Sequence, residues 1–494
     1  MRHRTATIVL VLTVALPALT GAVEPWSFRV VDDTGLPQLG MTFGGTWADL
    51  DRDGRWDLVL SRHADDHVEI YLGRDGLAFS GPASWPHPTG LLDHHGTAAC
   101  DHDGDGAWDL YLTAGADRGH GQSCKHLWLT RGDEEFHGVI DCRHLLADPA
   151  GRGRGGLWLR LTRAPRPQLL VLNYDSPARL FEHTPGGWQD RAAWFDGGIP
   201  ACHVAEAHDF DGDGRLDLFT AGSERQLWHN QDGRLLPAPA EALPTRIPAV
   251  SDAAGGDVDG DGDIDLLLGL RGGALWLLMN ESTPGRMRFG ELVHTPVLPQ
   301  VDEPVTVELA DLDNDGHLDL LVAQRRARGG GRPVVLARGR GDGRFEPPQR
   351  LPAPASRAMA LWAIDLDRDG DLDLVVCNGE EQDDLRPDAV VVYENTAAGA
   401  GITVELDNKP DQAPHGLGAS VTVTANGRDT TQRLHSTANP WNSTVLPLHF
   451  GVESTVGPLK IVVEWPDGGC QELTLPAAGC AYRIGRDGQV ATIP

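Results

Sequence analysis

Short apolar runs alternate with polar, turn-rich stretches along most of the chain, and the alternation has a long period. "LVL", "LYL", "LFT", "LLL", "LLV" and "LVV" each follow an acidic stretch, and branched or aromatic runs such as "HVEIYLG", "KHLWLT", "RQLWHN", "ALWLLM" and "AVVVYEN" come next. Runs this short, bounded by Gly, Asp, Asn and Pro, predict strands rather than helices. Each unit of roughly 50 residues holds four such candidates, the first lying before the acidic stretch and a weaker one beginning near Phe. Four strands per unit at that period predict the blades of a propeller.

The acidic stretches carry the candidate chemistry. Residues 49–58 read "DLDRDGRWDL", and the pattern starts again at Asp101, Asp209, Asp257, Asp311 and Asp365. Two carboxylates about 4 Å apart repel by roughly 4 kcal/mol at an effective dielectric near 20, so a turn holding several needs a cation among them. Alternating oxygen donors around a glycine bend suit Ca²⁺, which takes about six to eight oxygens in irregular geometry. The expected ligands are positions 1, 3, 5, 7 and 9, with position 7 offering its backbone carbonyl. In the first three acidic loops these are Asp49, Asp51, Asp53, Arg55 and Asp57, then Asp101, Asp103, Asp105, Ala107 and Asp109, then Asp209, Asp211, Asp213, Arg215 and Asp217. In the last three they are Asp257, Asp259, Asp261, Asp263 and Asp265, then Asp311, Asp313, Asp315, His317 and Asp319, then Asp365, Asp367, Asp369, Asp371 and Asp373. Position 12 of the first loop is Leu60, where an EF-hand has a bidentate Glu, so the loop belongs to a β-hairpin. The expected cofactor is thus Ca²⁺, about six ions in a structural role.

Successive loops start 52, 108, 48, 54 and 54 residues apart, and the doubled gap predicts one more unit. "LWLRLTRAPRPQLLVLN" fits it, with Arg160 at position 1, Thr162 at 3, Ala164 at 5 and Gln168 at 9. This copy lacks the carboxylates, and Arg160 is expected to place its own charge where the others hold an ion. Seven units predict a seven-bladed ring over residues 23–397, closed when "WSFRVV" at 26–31 completes the last blade.

With "GTWADLDRDG" and "GTAACDHDG" leading into them, the loops resemble FG-GAP or VCBS repeats, the calcium-loop blades also found in integrin α-chain propellers. The tail, residues 398–494, alternates in "SVTVTA" and "KIVVEW" around the turns "ANG" and "PDGG", which predicts a small antiparallel β-domain. Its segments "HGLGASVTVTANG", "LPLHFGV" and "IVVEWPDGGCQEL" resemble the ASPIC/UnbV domain that follows such propellers in the CRTAC1-like family. It departs from that domain in "HSTANPWNSTV", where relatives have a Gly-Tyr plus Ser-Gln segment, and in "FGVEST", where they have Phe-Gly-Leu-Gly. The fold class expected is all-β, a seven-bladed β-propeller followed by a small antiparallel β-domain.

A formal charge of −29 speaks against nucleic acid and anionic membrane surfaces as partners. Arg2 and Arg4, an apolar stretch from about Ala6 to Leu19, and Thr20 and Ala22 before a cleavage point predict a signal peptide over residues 1–22. A secreted, periplasmic or extracellular location follows, with no membrane span after cleavage. Of seven cysteines, Cys124 with Cys142 and Cys470 with Cys480 are the candidate local disulfides, while Cys100, Cys202 and Cys377 read as small buried hydrophobes. Trp47, Trp56, Trp108, Trp158 and Trp362 read as packing residues.

The metal loops join strands 1 and 2 of their blades, so they share one face. The opposite face is expected to meet partners, and its connections carry Arg62, His63, Asp66, His67, His94, His95, Asp117, Arg118, His120, Arg152, Arg154, His203, Arg225, Asp252, Glu303, Arg325, Arg326 and Arg357. The functional expectation is a binding or scaffold module for an extracellular protein or glycan. The alternative is a lyase- or dehydratase-type enzyme acting on polysaccharide or sugar, with His94, His95 and His203 as candidate catalytic groups.

Overall fold

The computed structural model describes residues 27–493 apart from 38–41, 43, 62–67, 84–93, 116–125, 131–135, 140–143, 291–292, 295–300, 326–332, 352–356, 380–389, 397–398, 408–413, 440–441, 453–456 and 477. The expected signal peptide and the cysteines Cys124 and Cys142 lie outside the described residues. So do His63, His67 and His120.

Every strand pair within a repeat unit is antiparallel, as the hairpin reading of the loops requires. The first unit orders Gly44–Ala48, Asp57–Ser61, Val68–Gly73 and Phe79–Ser80 side by side. Six further four-stranded units follow, with inner strands His94–Cys100, Gly153–Leu159, Cys202–His208, Val250–Gly256, Pro304–Ala310 and Ala358–Ile364. Second strands such as "DLVLS", "DLLLGL" and "DLVVCN" are buried along their whole length, because neighbouring blades cover both of their faces. Each Leu or Val buried there contributes about 1.5–3 kcal/mol.

The outermost strand of the last blade is Phe28–Val30 from the start of the chain, paired with Val390–Asn395. Trp47 of the first inner strand meets Trp362 of the last edge-on, with centroids 5.9 Å apart. The two ends of the array are therefore neighbours. Trp56, Trp108 and Trp158 are buried as well.

The C-terminal residues form two further four-stranded sheets. One holds Gly401–Asp407, Leu448–Gly451, Cys480–Gly485 and Val490–Ile493; the other holds Ser420–Ala425, Arg428–Arg433, Leu459–Glu464 and Cys470–Leu475. Pairing is antiparallel except between Gly401–Asp407 and Cys480–Gly485, which run parallel, a departure from the antiparallel domain expected. The proposed Cys470–Cys480 bridge is corrected too, since both thiols are free. Cys470 opens a strand of one sheet opposite Glu464, and Cys480 starts a strand of the other beside Ile402. An extended strand advances about 3.3 Å per residue, whereas a disulfide needs Cα atoms within about 7 Å. Cys100, Cys202 and Cys377 are buried, as expected, and burial pushes the Cys202 and Cys377 thiols up to about 12.

One hairpin leaves this domain and enters the ring. Thr437–Asn439 pairs with Asn442–Thr444, then Ala438 pairs with Ala205, and Asn442 and Ser443 pair in parallel with Thr97 and Ala98. Thr46 Oγ1 donates to the Ser443 carbonyl at 2.5 Å. An inner strand has one edge free toward the channel, and an unpaired edge invites another strand. The hairpin satisfies two such edges, and its strands fall within the "HSTANPWNSTV" stretch.

Candidate metal loops and the two faces of the ring

All six acidic loops share one backbone shape. Position 4, occupied by Arg52, Gly104, Gly212, Gly260, Asn314 and Arg368, is left-handed with φ between 58° and 79°. Position 6 is Gly in every copy, with φ between 83° and 95°, a region that costs L-residues other than glycine about 1 kcal/mol or more. These two reversals turn alternate side chains inward.

The carboxylate at position 1 collects the amide of position 6: Gly54, Gly106, Gly214, Gly262 and Gly316 donate to Asp49, Asp101, Asp209, Asp257 and Asp311 at 2.8–3.0 Å. The Asp at position 9 ties the loop to its blade. Asp217 accepts from the amides of Phe210 at 3.2 Å and Asn230 at 2.8 Å, and Asp57, Asp265, Asp319 and Asp373 do the same in their loops. In the second loop His102 adds a ring contact to Asp109 at 2.5 Å and stacks on Trp188.

Carboxylate oxygens of Asp49, Asp51 and Asp53 gather within 4.8 Å of one another, as do those of Asp101, Asp103 and Asp105 and those of Asp209, Asp211 and Asp217. Asp49 Oδ1 and Asp313 Oδ1 are buried without a hydrogen-bond partner. Burial, with neighbouring carboxylates adding to it, pushes Asp217 and Asp311 up to about 8 and Asp57 and Asp265 up to about 7. Several oxygen donors with spare lone pairs, pressed together and poorly hydrated, fit a hard divalent cation. Arg338 offsets part of the charge at Asp313 and Asp315, and the His229 ring lies 3.3 Å from Asp211 and 3.4 Å from Asp213.

The third loop closes differently. Leu161 donates its amide to Gln168 Oε1 at 2.9 Å, so Gln168 replaces the Asp of position 9. The Arg160 guanidinium points back at the Thr162 and Arg163 carbonyls, 3.4 Å from each.

The C-terminal domain lies over this face. Thr403 Oγ1 donates to Asp365 Oδ2 at 2.6 Å, His449 Nε2 is 2.7 Å from Asn314 Oδ1, and Arg433 stands 3.5 Å from Asp209 Oδ2. His415 stacks on Trp108 with centroids 4.1 Å apart. A Cβ at Gly451 would sit 1.9 Å from Asp311 Oδ2, so only glycine allows that approach. The seam holds a cavity of about 1000 Å³ beside Arg160, Arg433 and Trp465 and another of about 520 Å³ between Asp49, Asp101 and Arg483.

A family profile described as "FG-GAP-like repeat" matches residues 49–112, 209–268, 257–322 and 311–376, and one described as "ASPIC and UnbV" matches 409–491. The chain is an array of FG-GAP-like repeats followed by an ASPIC/UnbV domain. No curated protein sequence matches it. Among solved structures, the BP39L lectin of Burkholderia pseudomallei is similar at 12% identity and TM-score 0.50, covering 73% of this chain and 97% of that one. Sqt1 of Saccharomyces cerevisiae gives 10% identity and TM-score 0.43, covering 90% and 100%. These are likenesses of fold.

With the ASPIC/UnbV domain seated on the loops, the other face of the FG-GAP ring is the one it leaves uncovered. There the candidate histidines lie on two blades. His94 and His95 are buried in the second inner strand, while His203 in the fourth accepts from Arg271 Nη2 at 2.9 Å. Asp252 is no rim residue, being fully buried and accepting the Val307 amide at 2.8 Å. Tyr174 and Arg271, both on this face, escaped sequence reasoning. The available signal was their place directly after a second strand, in "VLNYD" and "LGLRG", the position that Arg62 and Arg325 hold in their own repeats.

Proposed function

We propose that this protein is an exported, calcium-loaded binding module that presents the open face of its ring to an extracellular protein or glycan. The observation that carries the reading is the common backbone shape of six acidic loops, with carboxylates gathered within 4.8 Å in those at Asp49, Asp101 and Asp209, where the third loop has Arg160. Calcium at those loops would act structurally, joining each hairpin and setting the surface on which the ASPIC/UnbV domain rests. The arginine-flanked apolar stretch at the N-terminus supports export, and extracellular calcium is abundant enough to fill weak sites. Among the described residues no helix is long and apolar enough to cross a membrane.

The test is calorimetric titration of metal-stripped protein with Ca²⁺, followed by glycan and surface-protein arrays probed with and without chelator. About six equivalents bound, and array binding that disappears in chelator, are expected. Heat from no more than one or two sites would reject the reading.

A further inference from the structure

On the uncovered face three blades bring basic side chains to one tyrosine. Tyr174 follows the second strand of the third blade, Gln168–Asn173, and is 39% exposed, among the most exposed large apolar side chains of the described residues. Arg152 and Arg154, from the start of that blade's inner strand, stand with their guanidinium carbons 5.4 and 5.1 Å from the ring centroid. Arg271, two blades away, reaches over to 5.7 Å and donates to the Tyr174 hydroxyl at 3.4 Å. His203 of the intervening blade packs against the same ring at 5.6 Å and accepts from Arg271.

Three guanidinium groups around one ring repel one another; the exposed Asp175 stands 3.9 Å from Arg152, and Arg154 donates to the Gly153 carbonyl at 2.9 Å. The buried Nε–H of Arg152 has no acceptor. In a chain of net charge −29 this is, among the described residues, a local gathering of positive charge supplied by separate blades. Its chemistry is that of an anion receptor, since guanidinium forks match carboxylate oxygens two at a time.

We infer that Arg152, Arg154, Arg271 and Tyr174 form a binding site for the carboxylate of an acidic sugar residue, a uronate, in an extracellular polysaccharide. The inference rests on the binding-module reading above and specifies its ligand. A sugar acid fits better than an acidic peptide because the cations meet at a point beside an exposed aromatic edge. That edge can take the C–H surface of a pyranose while the guanidiniums hold its carboxylate.

The probe is a tetramer of galacturonate, titrated into the calcium-loaded full chain, beside its methyl-esterified form and a tetraglutamate peptide. Binding of the free acid is expected, with at least ~10-fold loss on esterification and in Arg271→Ala, and weakening with salt. Arg271 is exposed, so the variant should keep the wild-type melting curve. Arg152→Ala, a second variant on another blade, should lose affinity as well. No binding of the free acid, wild-type affinity in both variants, or tighter binding of tetraglutamate would overturn the proposal. An array ligand that binds the open face unaffected by Arg271→Ala would overturn it too, while leaving the broader binding function standing.

Discussion

The third loop and its six acidic counterparts close the same turn between the first and second strands of a blade, by opposite means. The acidic loops bend through two left-handed residues, with Gly at position 6, and crowd carboxylates into the bend. In the third loop position 6 is Pro165, whose ring locks φ negative, and neither Arg163 nor Pro165 is left-handed. Arg160 and Gln168 supply from within the chain a cation and an acceptor; on the proposed reading the other loops would divide these between a bound ion and aspartates. One blade scaffold tolerates both because what it demands is a satisfied turn, which Gln168 supplies in one loop and aspartates in the others.

The strongest way to break this comparison is to remove the ion. A site held at a hundred times its dissociation constant stabilises the folded state by about 2.7 kcal/mol, and the acidic loops add such contributions. Stripping calcium with EGTA should lower the unfolding midpoint by more than ~10 °C in scanning calorimetry. If the midpoint stays put, the acidic loops stand without an ion and their contrast with Arg160 disappears.

Substitution at position 9 probes the two designs next. Asp217→Ala leaves the Phe210 and Asn230 amides without their acceptor, whereas Gln168→Ala strands one amide, that of Leu161, and takes a donor from the Arg166 carbonyl, which water can reach. An unsatisfied buried donor costs about 1–3 kcal/mol, so urea denaturation in calcium should show Asp217→Ala losing roughly twice as much, with the lost ligand added. Equal losses would mean that position 9 serves only as a hydrogen-bond acceptor in every loop.

Acidity separates them further. Burial raises Asp217 and Asp311 to about 8 and Asp265 to about 7, from 3.8. The folded, metal-free chain therefore takes up protons more readily than the unfolded one. Its stability should rise as pH falls from above 8 toward 4, and calcium must then displace protons to bind. The midpoint gained on adding calcium should accordingly shrink between pH 8 and pH 6, by on the order of 2 kcal/mol for a site resembling that of Asp311. A calcium increment that grows over that range would show these carboxylates to be ionised already.

The loops were legible because their determinants are local: ligand spacing, a glycine and a strand pattern all fall within about a dozen residues and repeat. N-terminal closure by Phe28–Val30 was legible as well, being the strand left over. What stayed hidden depends on residues far apart in the chain. Nothing within "HSTANPWNSTV" says that it will pair with Thr97 and Ala205, because the unpaired edges it covers exist only once the ring has formed. Tyr174 and Arg271 are 97 residues apart and meet through the curvature of the ring. The Cys470–Cys480 bridge failed for a related reason, since closeness in sequence was taken for closeness in space across a strand that extends.

The smallest expected effect belongs to Arg160. Its guanidinium is largely buried, and burial lowers its affinity for the proton, so it stays charged at a cost that the Thr162 and Arg163 carbonyls and the distant Asp467 offset. Arg160→Met keeps the side-chain bulk and removes the charge together with both contacts. The carbonyls it leaves border an open cavity where water can replace the guanidinium, so the loss should be about 1 kcal/mol. Its distinguishing feature is independence from calcium: the difference between wild type and Arg160→Met should be the same with and without EGTA, by parallel urea titrations. A loss that appears in calcium alone would place an ion beside the third loop after all, and the arginine would then be a neighbour of the metal instead of its replacement.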